Sequence, residues 1–137
     1  MSAGGTGSVA RMQRALVMDY AGVLDQGPDL LDLVRRARAA GVPTALVTDA
    51  PAVPDDCAAL FDVLVLGPSI GVRKPDPEVY RRVAEMLGRA PQECVVVDDS
   101  VRNIRGARTA GAVGVHHQRD SATITDVEIL LDLPPPT

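Results

Sequence analysis

The run Ala15-Leu16-Val17-Met18, followed at once by Asp19, constrains the fold more than any other stretch of this chain. Apolar residues without polar alternation suit a strand buried on both faces, as central strands of helix-covered parallel sheets are. A carboxylate at the end of such a strand emerges at the sheet's carboxyl edge, where open α/β sheets place their ligand crevices. Gly22 then lets the backbone turn sharply. Asp19 is the first candidate for chemistry.

Four more apolar runs have the length and bounds of strands: Pro43 to Val47, Val63 to Leu66, Cys94 to Val97 and Ala112 to Val115. Helical signals lie between them. Leu30, Leu31, Val34 and Ala37 form a stripe that begins after Gly27-Pro28-Asp29 and stops at Gly41. Pro51 and Pro54 confine the next helix to about Asp55 to Leu60. Asp76 reads as an N-cap with Pro77 at the first helical position, ahead of Val79, Val83 and Leu87, with Gly88 as the stop. Ser100 caps a helix whose stripe includes Val101, Ile104 and Ala107, closed by Gly111. A last helix is expected around Thr125, where Thr125-x-x-Glu128 resembles a capping box, and Pro134 to Pro136 end it. Strands alternating with helices predict a three-layer α/β/α, Rossmann-like sandwich around a five-stranded parallel sheet. Residues 14–133 form one domain in this reading, with a flexible tail over 1–13 and a short tail over 134–137.

Composition narrows the function. The apolar residues are mostly Val, Leu and Ala, with one Phe, two Tyr and no Trp, which argues against stacking-based recognition of single-stranded nucleic acid. A net charge of −4 gives no support to nucleic-acid or membrane-surface binding. The sequence contains no membrane-span-like run, and its N-terminus lacks a signal peptide's apolar core, so the expected location is cytoplasmic. Cys57 and Cys94 sit in apolar contexts and read as buried reduced thiols.

Three of the strands end in polar residues: Asp19, Thr48 and the pair Asp98-Asp99. In a parallel sheet these ends share one edge, so residues distant in sequence converge. Singly they say little. Thr48 reads as a turn hydroxyl, and Lys74 before a proline reads as a solvated surface residue. The acidic pair says more, because neighbouring carboxylates repel unless a cation offsets them. Hard divalent cations favour oxygen sites of this kind, and Mg²⁺ commonly uses one or two carboxylates together with substrate phosphate.

The ordered set is specific: Asp19 in an Asp-x-x-Gly turn, Thr48 after the second strand, Lys74 in Arg-Lys-Pro-Asp-Pro-Glu-Val-Tyr, then Asp98-Asp99-Ser100 with Asn103 and Gly106-Ala107. This pattern resembles the haloacid dehalogenase superfamily of hydrolases over residues 15–116. The resemblance implies that Asp19 is a nucleophile forming an aspartyl-phosphate on a phosphorylated substrate. It implies that Thr48 donates to phosphoryl oxygens and Lys74 offsets the clustered negative charge. It further implies Mg²⁺ held by Asp19, the backbone carbonyl of Ala21 and Asp99, with Asp98 either a direct ligand or standing behind one. Phosphoryl transfer is mostly positioning and charge neutralisation, which these groups can supply.

One departure matters. Phosphatases of the superfamily usually carry a second Asp two residues after the nucleophile, to protonate the leaving oxygen and then activate water. Ala21 occupies that position and can do neither. General acid–base help contributes roughly 10²–10⁴-fold, about 3–5 kcal/mol, so weak activity is expected, least impaired on aryl or acyl phosphates. The Asp-x-Ala-Gly turn is also similar to that of phosphonoacetaldehyde hydrolase, which needs a cap-domain lysine. The intervals from Ala21 to Thr48 and from Thr48 to Lys74 leave no room for a cap, and Lys74 is the only lysine in the chain. Haloacid dehalogenation is disfavoured for the same reason, since small substrates need water excluded. A capless site suits a large substrate, or an apolar rim covered in a homodimer.

His116-His117 read as structural or solvated, Asp49 (where relatives often carry Asn) as a cap on its loop, and Arg102 and Arg105 as a solvated face. A catalytically degenerate module binding a phosphorylated ligand or a protein partner is the alternative, favoured by Ala21. Response-regulator receiver domains carry their acidic pair on the first strand rather than the fourth and are set aside.

Overall fold

A computed structural model describes residues 14–136. The expected tail over 1–13 lies outside the described residues. Five strands, β1 (Ala15–Met18), β2 (Thr44–Thr48), β3 (Val63–Leu66), β4 (Cys94–Asp98) and β5 (Val113–His116), form one parallel sheet in the order β3-β2-β1-β4-β5. The helices are α1 (Asp29–Ala39), α2 (Asp55–Ala58), α3 (Pro77–Leu87), α4 (Val101–Thr109) and α5 (Asp120–Leu131). The expected α/β/α sandwich is the fold observed.

Each strand points alternate side chains to opposite faces. Leu16 and Met18 of β1 join Leu46, Val95 and Val97 in a core with Leu30, Leu33 and Val34 of α1 and Val127 and Leu131 of α5. Ala15 and Val17 join Val47 and Val96 in a second core with Val79 and Val83 of α3 and Ala107 of α4. Burial on both faces therefore explains why β1 reads as an unbroken apolar run. Each fully buried Val or Leu contributes roughly 1.5–3 kcal/mol relative to exposure.

Three sequence-based expectations are corrected. In α1 the buried positions are Leu30, Leu33, Val34 and Ala37, spaced i, i+3, i+4, i+7; Leu33 replaces Leu31, which is only partly buried. Val101 is exposed, because the spacing Val101, Ile104, Ala107 drifts around a 3.6-residue helix and leaves its first member off the core stripe. The last helix begins at Asp120, five residues before Thr125. Thr125 lies inside it, donating to the Ser121 carbonyl at 3.0 Å, and Glu128 pairs instead with Arg36 of α1 at 2.8 Å. His117, facing Thr123 Oγ1 at 2.6 Å and Asp120 at 3.5 Å, ties down the helix start instead.

The two remaining caps are where the residue types put them. Asp76 accepts from the Glu78 N–H and Ser100 from the Asn103 N–H, each worth about 1 kcal/mol. Cys57 and Cys94 are buried and unpaired, and burial pushes the Cys94 thiol up to about 11, which makes it inert. No helix among the described residues is long and apolar enough to cross a membrane.

The connections from β1 to β2 and β3 run outward in one direction, and β4 then returns to the other side of β1. The order of strand addition thus reverses between β1 and β4, and crevices form at the carboxyl ends beside such a reversal. Among the described residues, β1 and β2 are joined by a turn at Leu24–Gln26 and α1, and β2 and β3 by α2, with no inserted domain.

Candidate active site

Lys74 is the centre of the site. Its side chain is 4 % exposed, and its ammonium donates to Asp19 Oδ1 at 2.9 Å, Asp98 Oδ2 at 3.0 Å and the Val47 carbonyl at 3.0 Å. An ammonium has three donors, and all three are used. The reading of Lys74 as a surface residue, taken alone, fails because the loop after β3 carries it back over the sheet edge. Burial by itself would lower its pKa; the charges of Asp19 and Asp98 more than offset that and raise it.

Asp98 is saturated. Its Oδ1 accepts from the Ser100 N–H at 2.9 Å, and its Oδ2 accepts from Lys74 and from Asn103 Nδ2 at 3.0 Å. Asn103 was visible in the sequence only as part of a pattern; its five-residue separation from Asp98 places its amide one turn into α4, facing back to β4. Asp19 is 8 % exposed. Desolvation by burial outweighs the nearby Lys74 ammonium, and Asp98 adds repulsion, so the Asp19 carboxyl is pushed up to about 6. One lysine faces two buried carboxylates, which leaves one negative charge uncompensated.

Asp99 completes the acidic group. Oxygen atoms of Asp19, Asp98 and Asp99 lie within 4.8 Å of one another, a donor set suited to a hard divalent cation. Gly22, at φ +79°, makes this approach possible, because a Cβ there would collide with the Asp99 carboxylate. The Asp99 carbonyl meets His116 Nε2 at 3.0 Å, so this histidine braces the acidic turn. Arg102 and Arg105 are exposed, as expected. Asp19, Ala21, Thr48, Lys74 and Asp99 all border one open cavity of about 350 Å³. Thr48 Oγ1 accepts from the Ala50 N–H at 3.2 Å, so its own proton remains available to a ligand.

Lys74 depends on a contact that no chemical residue announces. A Cβ on Gly106 of α4 would overlap the Pro75 carbonyl, so α4 and the lysine loop meet main chain to main chain. Gly106→Ala is expected to destabilise the fold by about 1–3 kcal/mol, the usual cost of overpacking. It is also expected to displace Lys74 from its two carboxylates and cut any turnover about 10²-fold. Thermal denaturation and kcat measured on the one variant check both; unchanged values would mean the loop absorbs the methyl group freely.

The sequence and the fold also resemble those of known proteins. A family model for haloacid dehalogenase-like hydrolases matches residues 9–111. Phosphatase MT3486 of Mycobacterium tuberculosis is 33 % identical over 113 residues, covering 77 % of this chain and 52 % of the relative. Phosphoglycolate phosphatase of Escherichia coli K12 is 33 % identical over 117 residues, covering 77 % of this chain and 46 % of the relative. The chain thus spans about half the length of these curated relatives. An uncharacterised protein from Corynebacterium glutamicum superposes with a TM-score of 0.81 at 29 % identity, covering 91 % of this chain and 99 % of that one.

Proposed function

Because the chain belongs to the haloacid dehalogenase-like hydrolases, we propose that it is a Mg²⁺-dependent phosphohydrolase acting through an aspartyl-phosphate on Asp19. The observation that carries this reading is the buried Lys74 ammonium, fixed between Asp19 and Asp98 beside the cavity that Thr48 and Asp99 border. A carboxylate oxygen of Asp19 attacks phosphorus as the bond to the leaving oxygen breaks. Water then attacks phosphorus and releases both inorganic phosphate and Asp19. Lys74 keeps Asp19 oriented and offsets charge as it builds; Thr48 donates its hydroxyl proton to a phosphoryl oxygen.

The donor set fits Mg²⁺. Asp19, Asp99 and the carbonyl of Ala21 would hold it, with Asp98 behind them, since both Asp98 oxygens already accept hydrogen bonds. When bound, the ion supplies charge neutralisation at the phosphoryl oxygens. The substrate is a phosphorylated compound, and the open cavity admits a large one. Two relatives with phosphatase names support the reaction class.

The second reading is a binding module without turnover, favoured by the methyl group of Ala21 where an acid–base would be needed. Hydrolysis of an aryl and an alkyl phosphate, with Mg²⁺ and with EDTA, separates the two. The expected result is metal-dependent turnover of the aryl ester by the wild type. Ala21→Asp should add about 10²-fold or more, chiefly on the alkyl ester, whose leaving oxygen needs a proton. No metal-dependent turnover in either protein would favour the binding module.

A further inference from the structure

We propose that Asp49 supplies the base that Ala21 lacks, its carboxylate taking a proton from the water that hydrolyses the aspartyl-phosphate. This inference rests on the phosphohydrolase reading above. Asp49 directly follows Thr48, the last residue of β2, the strand hydrogen-bonded to β1. It borders the same cavity as Asp19 and Lys74. The sequence suggested a loop cap, but the loop is capped by Thr48, which accepts the Ala50 N–H at 3.2 Å. The Asp49 carboxylate accepts no hydrogen bond among the described residues. Its charge partner is Arg73 Nε, 3.9 Å away, beyond hydrogen-bond distance.

Every other carboxylate at the site is committed. Asp19 is the proposed nucleophile and is bound to Lys74, Asp98 accepts from Lys74, Asn103 and the Ser100 N–H, and Asp99 belongs to the cation-competent group. Asp49 stands outside that group, and its side chain is 54 % exposed, so water reaches it. The Tyr80 hydroxyl, buried and without a partner among the described residues, has its pKa raised first by desolvation and then by the charges of Asp98, Asp19 and Asp49. Asp49 therefore shares one electrostatic neighbourhood with the nucleophile.

In the step itself, one O–H bond of water breaks and its proton passes to an Asp49 carboxylate oxygen. The water oxygen bonds to phosphorus while the bond from phosphorus to Asp19 breaks. Inorganic phosphate leaves, and Asp49 returns its proton to solvent. Proton transfer to a positioned carboxylate contributes about 10²–10⁴-fold.

The test is rapid-mixing kinetics of an aryl phosphate with Mg²⁺, using wild type, Asp49→Asn and the double variant Asp49→Asn/Ala21→Asp. Release of the aryl alcohol in the first turnover reads attack by Asp19; the steady rate reads hydrolysis of the phosphoenzyme. Asp49→Asn is expected to keep the first-turnover rate, lower the steady rate about 10²-fold or more, and accumulate hydroxylamine-labile phosphoprotein. The double variant should regain the steady rate, which a structural defect at position 49 would not allow. A steady rate unchanged in Asp49→Asn, or a first turnover slowed as much as the steady rate, overturns the role of Asp49 and leaves Asp19 as nucleophile. Absence of phosphoprotein and of turnover in all three proteins overturns both readings.

Discussion

Asp19→Asn is expected to abolish aryl phosphate turnover, by about 10³-fold or more, and yet to leave the metal-free fold more stable at pH 7 than the wild type. The loss follows from removing the carboxylate proposed as the nucleophile. The gain follows from charge. In the folded protein the Asp19 carboxyl titrates near 6 rather than at the unfolded value of 3.8, chiefly because burial disfavours the anion. Below about pH 4 the group is protonated in both states and the fold carries no penalty. Between about pH 4 and pH 6 the unfolded chain has released its proton while the fold still holds it, so wild-type stability falls, by up to about 3 kcal/mol from this group. Asn has no proton to lose. Urea denaturation of both proteins in EDTA, at pH 4 and at pH 7, measures the difference; a variant less stable than the wild type at pH 7 would mean that Lys74 outweighs burial.

The second large effect comes from the opposite charge. Lys74→Met leaves Asp19 and Asp98 facing each other, both buried, with no cation between them. Breaking a buried ion pair from one side costs about 3–5 kcal/mol, because the surviving charges are left unpaired. Turnover is expected to fall about 10²–10³-fold as the positioned cation is lost. Adding Asp19→Asn to Lys74→Met should recover part of the stability and none of the activity, since it removes one of the two stranded charges. Denaturation of the two single variants and the double variant measures this coupling, and strict additivity would argue against a shared charge cluster.

The frame was legible because β1 and β4 are buried on both faces, so apolar continuity and strand length coincide there. The carboxyl-edge residues Asp19, Thr48, Asp98 and Asp99 were legible for the same reason: a parallel sheet leaves no other place for a polar strand end. What local pattern could not carry was the long-range part. Thr125-x-x-Glu128 has the spacing of a capping box, but Glu128 answers to Arg36 on another helix, and the helix start follows His117. Lys74 reads as solvated until the chain brings it against the Val47 carbonyl and two carboxylates. The restraint of Asp98 by Asn103 required knowing that α4 turns back over β4.

The two bare glycines beside the chemistry bear on how this site could be moved to another protein. Gly22 and Gly106 contribute no functional group, yet each is a mould: one for the Asp99 carboxylate, the other for the main chain that delivers Lys74. A graft carrying only Asp19, Thr48, Lys74 and Asp99 onto a new scaffold would reproduce the inventory and miss the spacing. A designer should therefore transplant the hollows along with the groups that fill them, and judge a host first by whether it can spare two side chains.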